Sequence, residues 1–169
     1  MIINVYHLRH TEGASKTFRF IEEFSPLQLG TDEYTFTQPA EVTLDIENLG
    51  KSLLVKGTIR LVIAVNCSRC LKPFTYSSEI TFEDEWFPAE FASEAMDESA
   101  FIFEKDEFAI DDRIIEQIVL QLPMKFLCSE DCKGLCLKCG ADLNTRTCSC
   151  ISEDIDPRFE ILSKWNKGV

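Results

Sequence analysis

Eight cysteines carry the most readable chemistry of this chain, in the order Cys67-x2-Cys70, Cys128-x3-Cys132, Cys136-x2-Cys139 and Cys148-x-Cys150. Six of the eight fall within residues 128–150. A short spacer lets both sulfurs of a pair face one ion while neighbouring backbone N–H groups bond to them. Eight thiols make two sets of four, and four thiolates closed around one ion are what a structural zinc requires. Two zinc ions are therefore expected. Gly140, directly after Cys139, suits the turn at which such a knuckle needs an unusual backbone angle.

Several partitions of the thiols satisfy this count. The preferred one makes Cys136, Cys139, Cys148 and Cys150 a self-contained site, because two pairs eight residues apart can close a small hairpin. Cys67 and Cys70 then take Cys128 and Cys132 as partners, clamping distant parts of the chain so that metal binding becomes folding free energy. One real site with four spare thiols stays open as an alternative. So does disulfide bonding, although closely spaced cysteine pairs inside cells more often hold a metal.

Other chemistries find less support. A catalytic zinc keeps an open position and often uses histidine, but His7 and His10 stand near the N-terminus, away from the cysteines, and read as ordinary surface or core residues. Cys67-Ser-Arg-Cys70 has the spacing of a dithiol redox pair without the strand-then-helix setting. His10-Thr-Glu12 fits half of the deaminase pattern, whose Pro-Cys-x-x-Cys half is missing. Lys133-Gly134 is in the reverse order to a phosphate-loop lysine. No spacing singles out an acid–base pair of carboxylates. No catalytic residue, organic cofactor or small-molecule substrate is expected, and the chain reads as a binding protein.

The elements that must position the thiols are mainly strands. From Leu53 to Val65 the odd positions are apolar apart from Gly57, with Lys56, Thr58 and Arg60 between them, a period-two pattern that ends on Cys67. After Pro73, Tyr76, Ile80, Phe82 and Trp86 occupy even positions, opposite Glu79, Thr81, Glu83 and Glu85. Cys67 and Cys70 are thus expected at a hairpin tip. Val42, Leu44 and Ile46 predict a strand before the turn Asn48-Leu-Gly-Lys51, and Phe18 and Phe20 begin a further one. Ile110, Ile114, Ile115, Ile118, Val119 and Leu122 form a helical stripe, with Asp111 or Asp112 to cap it and Pro123 after it. A last helix is predicted from Asp156-Pro157, burying Phe159, Leu162 and Trp165.

The fold class expected is α+β: a curved antiparallel sheet or partial barrel, a packing helix and a C-terminal cysteine-rich zinc module. The divisions are a β-rich domain over 1–87, an acidic connection over 88–109, the packing helix over 110–123, and the zinc module with its helix over 124–169. No apolar run is long enough to span a membrane, and no targeting segment is read at the N-terminus. The net charge of −12 is concentrated in residues 79–112, which hold thirteen Asp or Glu against Lys105 alone. So acidic a chain is a poor generic phosphate binder. Arg69, Lys72, Lys125, Lys133, Lys138 and Arg146 gather near the cysteines, either to offset metal–thiolate charge or to offer RNA a small cationic surface.

The succession CSRCL at a strand end, a helix ending in LPM, then CSEDCKGLC, KCGADLN, CSC and DPRFEIL resembles the YceD (DUF177) family, the large ribosomal RNA subunit accumulation proteins. The resemblance runs from about Asn48 to Leu162. It implies a non-enzymatic factor in ribosome biogenesis, needed for accumulation of large-subunit (23S) ribosomal RNA and working in the bacterial cytoplasm or in plastids. The absence of transit-peptide composition favours a bacterium. Implied partners are the large-subunit precursor, its RNA or a basic large-subunit protein. Cys67 and Cys70 match the family's central pair, Cys128 and Cys132 the pair after the helix, which implies that these four share a site. A thiol-based redox factor or redox-regulated chaperone is the competing expectation.

Overall fold

The structure, a computed structural model, describes residues 1–30, 32–95 and 100–150. In chain order the elements are β1 (Ile2–Asn4), α1 (Tyr6–Arg9), β2 (Ser15–Glu22), β3 (Leu27–Leu29), β4 (Asp32–Phe36), β5 (Ala40–Asn48), β6 (Leu53–Asn66), β7 (Pro73–Pro88), a 3-10 turn (Ala89–Glu94), β8 (Phe101–Phe103), β9 (Glu107–Ala109) and α2 (Asp111–Gln121). The described residues divide into two compact units, Met1–Ser68 with Lys72–Cys128, which holds all of these elements, and Arg69–Leu71 with 129–150.

The first unit is mostly antiparallel sheet. The long hairpin β6–β7 is its spine, paired from Leu53↔Trp86 to Asn66↔Pro73. On the other edge of β6, β5 covers Leu53–Arg60 and β4 covers Ile63 and Ala64. The order β2-β5-β6-β4-β3 continues outward, and β8 joins β7 in parallel. Among the described residues the sheet does not close into a barrel, because β2, β3 and β8 end it. A separate pair, β1 with β9, lies outside it. Residues 88–109, read from the sequence as a connection, contain β8 and β9, each only three residues long.

The period-two patterns become the two faces. Val42, Leu44 and Ile46 of β5, Val55, Ile59, Leu61 and Ile63 of β6, and Ile80, Phe82 and Trp86 of β7 are buried in one core, against Ile114 and Ile118 of α2. Burying a Leu, Ile or Val side chain is worth about 1.5–3 kcal/mol, so this stripe holds the sheet to the helix. Across the exposed face, Arg60 pairs with Glu79 and Lys56 with Glu83. The expected cap of α2 is a correction: Ile110 holds the N-cap position without a side-chain hydrogen bond, and the Asp111 carboxylate instead takes the Met1 ammonium.

Gly57 has a specific reason to be glycine. It sits directly across from Phe82, and a Cβ there would lie 2.0 Å from the Phe82 ring. Gly57→Ala must displace a buried ring, and overpacking of this kind costs about 1–3 kcal/mol. Urea unfolding should show that loss for Gly57→Ala alone, and a smaller one when Phe82→Leu is combined with it.

Among the described residues no helix is long and apolar enough to cross a membrane. The helix expected from Asp156-Pro157, with Phe159, Leu162 and Trp165, lies outside the described residues.

Candidate metal centre

β6 ends at Asn66 and β7 begins at Pro73, so Cys67 and Cys70 stand in the loop of the long hairpin. Cys67 N–H donates to the Lys72 carbonyl at 2.9 Å, which closes a tight knuckle, and Ser68 N–H donates to the Phe126 carbonyl at 2.7 Å. Phe126 is itself fixed, packed between the rings of Tyr34 and Tyr76. The segment after α2 is thereby tied to the knuckle by both backbone and core.

Cys136 and Cys139 repeat the same geometry. Cys136 N–H donates to the Ala141 carbonyl at 2.8 Å, the same five-residue step as Cys67 to Lys72. The residue after the second cysteine has positive φ in both knuckles: +58° at Leu71 and +69° at Gly140. Gly140 meets the expectation for a knuckle turn. Leu71 adopts the same left-handed backbone without glycine's freedom, a conformation that costs an ordinary residue about 1–2 kcal/mol.

Gly134, with φ of +74°, brings the backbone close to the first knuckle's Arg69; a Cβ would sit 3.0 Å from the Arg69 carbonyl oxygen. That oxygen accepts from Leu135 N–H, and the Arg69 guanidinium donates to the carbonyls of Cys132 and Glu130. Arg69, grouped from the sequence with an RNA-facing or charge-offsetting set, thus braces the backbone around Cys132. Leu143 N–H to the Gly134 carbonyl and the Leu135–Asp142 bridge close the hairpin that carries Cys136 and Cys139.

The thiols fall into two groups. The sulfurs of Cys67, Cys70, Cys128 and Cys132 lie within 4.8 Å of one another, and so do those of Cys136, Cys139, Cys148 and Cys150. A zinc bound at about 2.3 Å by four sulfurs in a tetrahedron holds them roughly 3.8 Å apart. Both donor sets fit a tetrathiolate ion by number, element and spacing. His7 lies in α1 and His10 follows it, both edge-on to the Tyr6 ring, and neither belongs to a thiol group.

The second group shows what its backbone favours. The Cys136 thiol is lowered to about 6 by the N–H groups of Cys139 and then Lys138, and by neighbouring thiols that donate to it. Cys150 moves the other way, up to about 12, chiefly because its thiol is held in a hydrogen bond with Cys139. The Cys150 N–H favours the Cys148 thiolate, but the hydrogen bond with Cys136, burial and the charges of Cys136 and Cys139 together raise the Cys148 thiol. Amides aimed at one sulfur favour a thiolate there. Four thiolates this close repel one another, and a divalent cation relieves that repulsion.

Asn144 is the residue that sequence reasoning missed. Its amide nitrogen lies 3.5 Å from the Cys132 sulfur as a donor, while its side-chain oxygen accepts from Lys133 N–H at 2.7 Å. Asp142 positions it by accepting both its backbone N–H and its side-chain amide. A donor on a ligand sulfur orients it and stabilises its thiolate. Asp142 and Asn144 stand in the KCGADLN segment that carries the family resemblance, but nothing in the sequence assigns Asn144 to a thiol.

No solved structure matches the chain. It is 30% identical over 142 residues to the uncharacterized protein Rv2926c of Mycobacterium tuberculosis, covering 82% of this chain and 68% of that one. It is 27% identical over 171 residues to the large ribosomal RNA subunit accumulation protein YCED homolog 1, chloroplastic, of Arabidopsis thaliana, covering 81% of this chain and 51% of that one. Protein YlbN of Bacillus subtilis is 26% identical over 164 residues, covering 96% of this chain and 95% of that protein. Residues 55–165 match the family of the large ribosomal RNA subunit accumulation protein YceD, and the two four-thiol groups fall within that span. The chain belongs to the YceD family.

Proposed function

We propose that this protein is a zinc-held, non-enzymatic factor that promotes accumulation of large-subunit ribosomal RNA in the bacterial cytoplasm. The observation that carries the reading is the pairing of two four-thiol groups with membership of a family described by that role. The eight ligands would be Cys67, Cys70, Cys128 and Cys132 for one ion, and Cys136, Cys139, Cys148 and Cys150 for the other. Each ion would be architectural: four thiolates fill its coordination shell and leave no position for water or substrate. The surface so shaped would bind the large-subunit precursor, through its RNA or through a basic ribosomal protein.

A thiol-based redox factor is the competing reading. Against it, Cys67 and Cys70 are buried in a strand-to-strand turn, whereas a reactive dithiol needs an accessible thiolate.

The test is genetic and quantitative. In a bacterium lacking its own copy of this gene, the wild-type chain should restore the ratio of large- to small-subunit ribosomal RNA, and Cys139→Ser should fail. Full rescue by a variant that no longer holds metal would remove zinc from the reading. An unchanged ratio on deletion would remove the ribosomal role.

A further inference from the structure

β7 pairs with β6 from Pro73 to Trp86 but with β8 only at Trp86, Phe87 and Pro88. Before Trp86, its second edge carries no strand among the described residues. The direction of its backbone follows from one contact. The Thr81 carbonyl accepts from Gln121 Nε2, on the side away from β6. By the period of two, the N–H and C=O of Glu83 and the N–H of Glu85 point to that same open side, while the Glu85 C=O is taken up in the parallel register with Phe101 of β8.

These groups open on a groove of about 900 Å3. Leu49, Phe87 and Phe101 supply its apolar lining, and five carboxylates face two cations, Lys51 and Arg113. Both cations are already engaged, Lys51 by Glu94 and Arg113 by Asp84 and Glu116. Glu83 already pairs with Lys56, whereas Glu85 accepts from the Ser52 hydroxyl and has no cation among the described residues. The groove is therefore an apolar trough with surplus negative charge, alongside an unpaired strand edge.

We propose that this edge docks an extended, basic segment of another protein, added as a strand beside β7 at Glu83–Glu85. Its main chain would satisfy the open N–H and C=O groups, as in other recognition by strand addition. Lysine or arginine at alternate positions would fall beside Glu83 and Glu85 on the exposed face, where opposite-charge cross-strand pairs are favourable. The intervening side chains turn to the other face, toward Phe101, and are apolar. The outer edge of β2 is open as well but carries Lys16 and Arg19, which repel such a guest. The proposal rests on the β7 edge and not on either metal group.

The experiment measures anisotropy of a fluorescein-labelled hexapeptide alternating arginine and valine, added to the full zinc-loaded chain at about 0.15 M salt. Saturable binding is expected. Methylating alternate amide nitrogens of the peptide, in either register, blocks one ladder of main-chain bonds, so one of the two methylated peptides should bind at least about tenfold more weakly. Glu83→Pro removes an outward N–H while leaving the β6 ladder intact, and should have a similar effect. Glu41→Gln with Glu47→Gln, which removes two carboxylates elsewhere on the sheet, should change binding less than about twofold. No saturable binding would overturn the proposal. So would equal affinity for all methylated peptides, or a loss as large in the Glu41 and Glu47 control, since either result means general attraction to an acidic protein. The methylated peptides probe the unaltered protein, so the answer does not depend on how Glu83→Pro folds.

Discussion

Chelation of the purified chain is expected to remove about two equivalents of zinc and to unfold residues 129–150 while the β5–β6–β7 sheet persists. The reason is the contrast in burial. The sheet has its own apolar core, from Val42 to Phe126. Between Ser129 and Cys150 the only buried hydrophobic residues are Cys132 and Ala141. Twenty-odd residues with so little apolar burial cannot offset a backbone ordering cost of about 1–2 kcal/mol each. A structural zinc contributes an apparent 10–16 kcal/mol, roughly, in small zinc modules, which is enough to close that gap. Hydrogen exchange before and after chelation should show protection lost from the Cys136–Cys139 hairpin and retained in β6. Single substitutions resolve the ligand sets: Cys139→Ser and Cys67→Ser should each lose about one equivalent, from different groups. If either variant loses both ions, the two groups are not independent. If reduced protein contains no metal, the architectural reading fails with it.

The parts of the fold that could be read in advance share a physical property. β5, β6 and β7 are long, with one buried face, so alternation imprints directly on the residues: Val55, Ile59 and Ile63 inward, Lys56 and Arg60 outward. β3, β8 and β9 span three residues each, too few for a period of two to register. Phe101–Phe103 and Glu107–Ala109 therefore disappeared into an acidic stretch whose charges are in part spoken for, Asp106 and Glu90 by Arg9 and Glu94 by Lys51. The knuckles were visible because a two-residue spacer holds both sulfurs on one side of a turn. Gly140 marked its turn, while Leu71, which adopts the same backbone, gave no sign of it. Asn144 could not be assigned to a thiol, because its approach to Cys132 is set by the fold of the hairpin between them. Asp84 breaks the apolar alternation of β7, and its reason is not local, since its partner Arg113 lies in α2, twenty-nine residues later.

That Asp84–Arg113 pair carries the second large expectation. Arg113 Nε and Nη2 both reach the Asp84 carboxylate, at 2.8 and 2.6 Å. The Asp84 side chain is only 7% exposed. The guanidinium carbon also lies 4.8 Å from the Phe101 ring centroid, and Nη1 reaches Glu116. One side chain thus joins α2, β7 and β8. Arg113→Met keeps much of the packing but leaves a buried carboxylate unpaired among Phe82, Trp86 and Phe101. Removing one partner of a buried pair costs about 3–5 kcal/mol, a large share of the 5–15 kcal/mol, roughly, that holds a domain folded. Arg113→Lys should cost less, since a charge remains but the two-pronged contact is lost. Desolvating both ions opposes folding, so Asp84→Leu with Arg113→Met should recover most of the loss. Urea unfolding of the four proteins closes a double-mutant cycle, and a coupling of at least about 2 kcal/mol is expected. A loss below about 1 kcal/mol for Arg113→Met would mean that Asp84 finds water when its partner leaves, and that Ile114 and Ile118 hold α2 on the sheet without it.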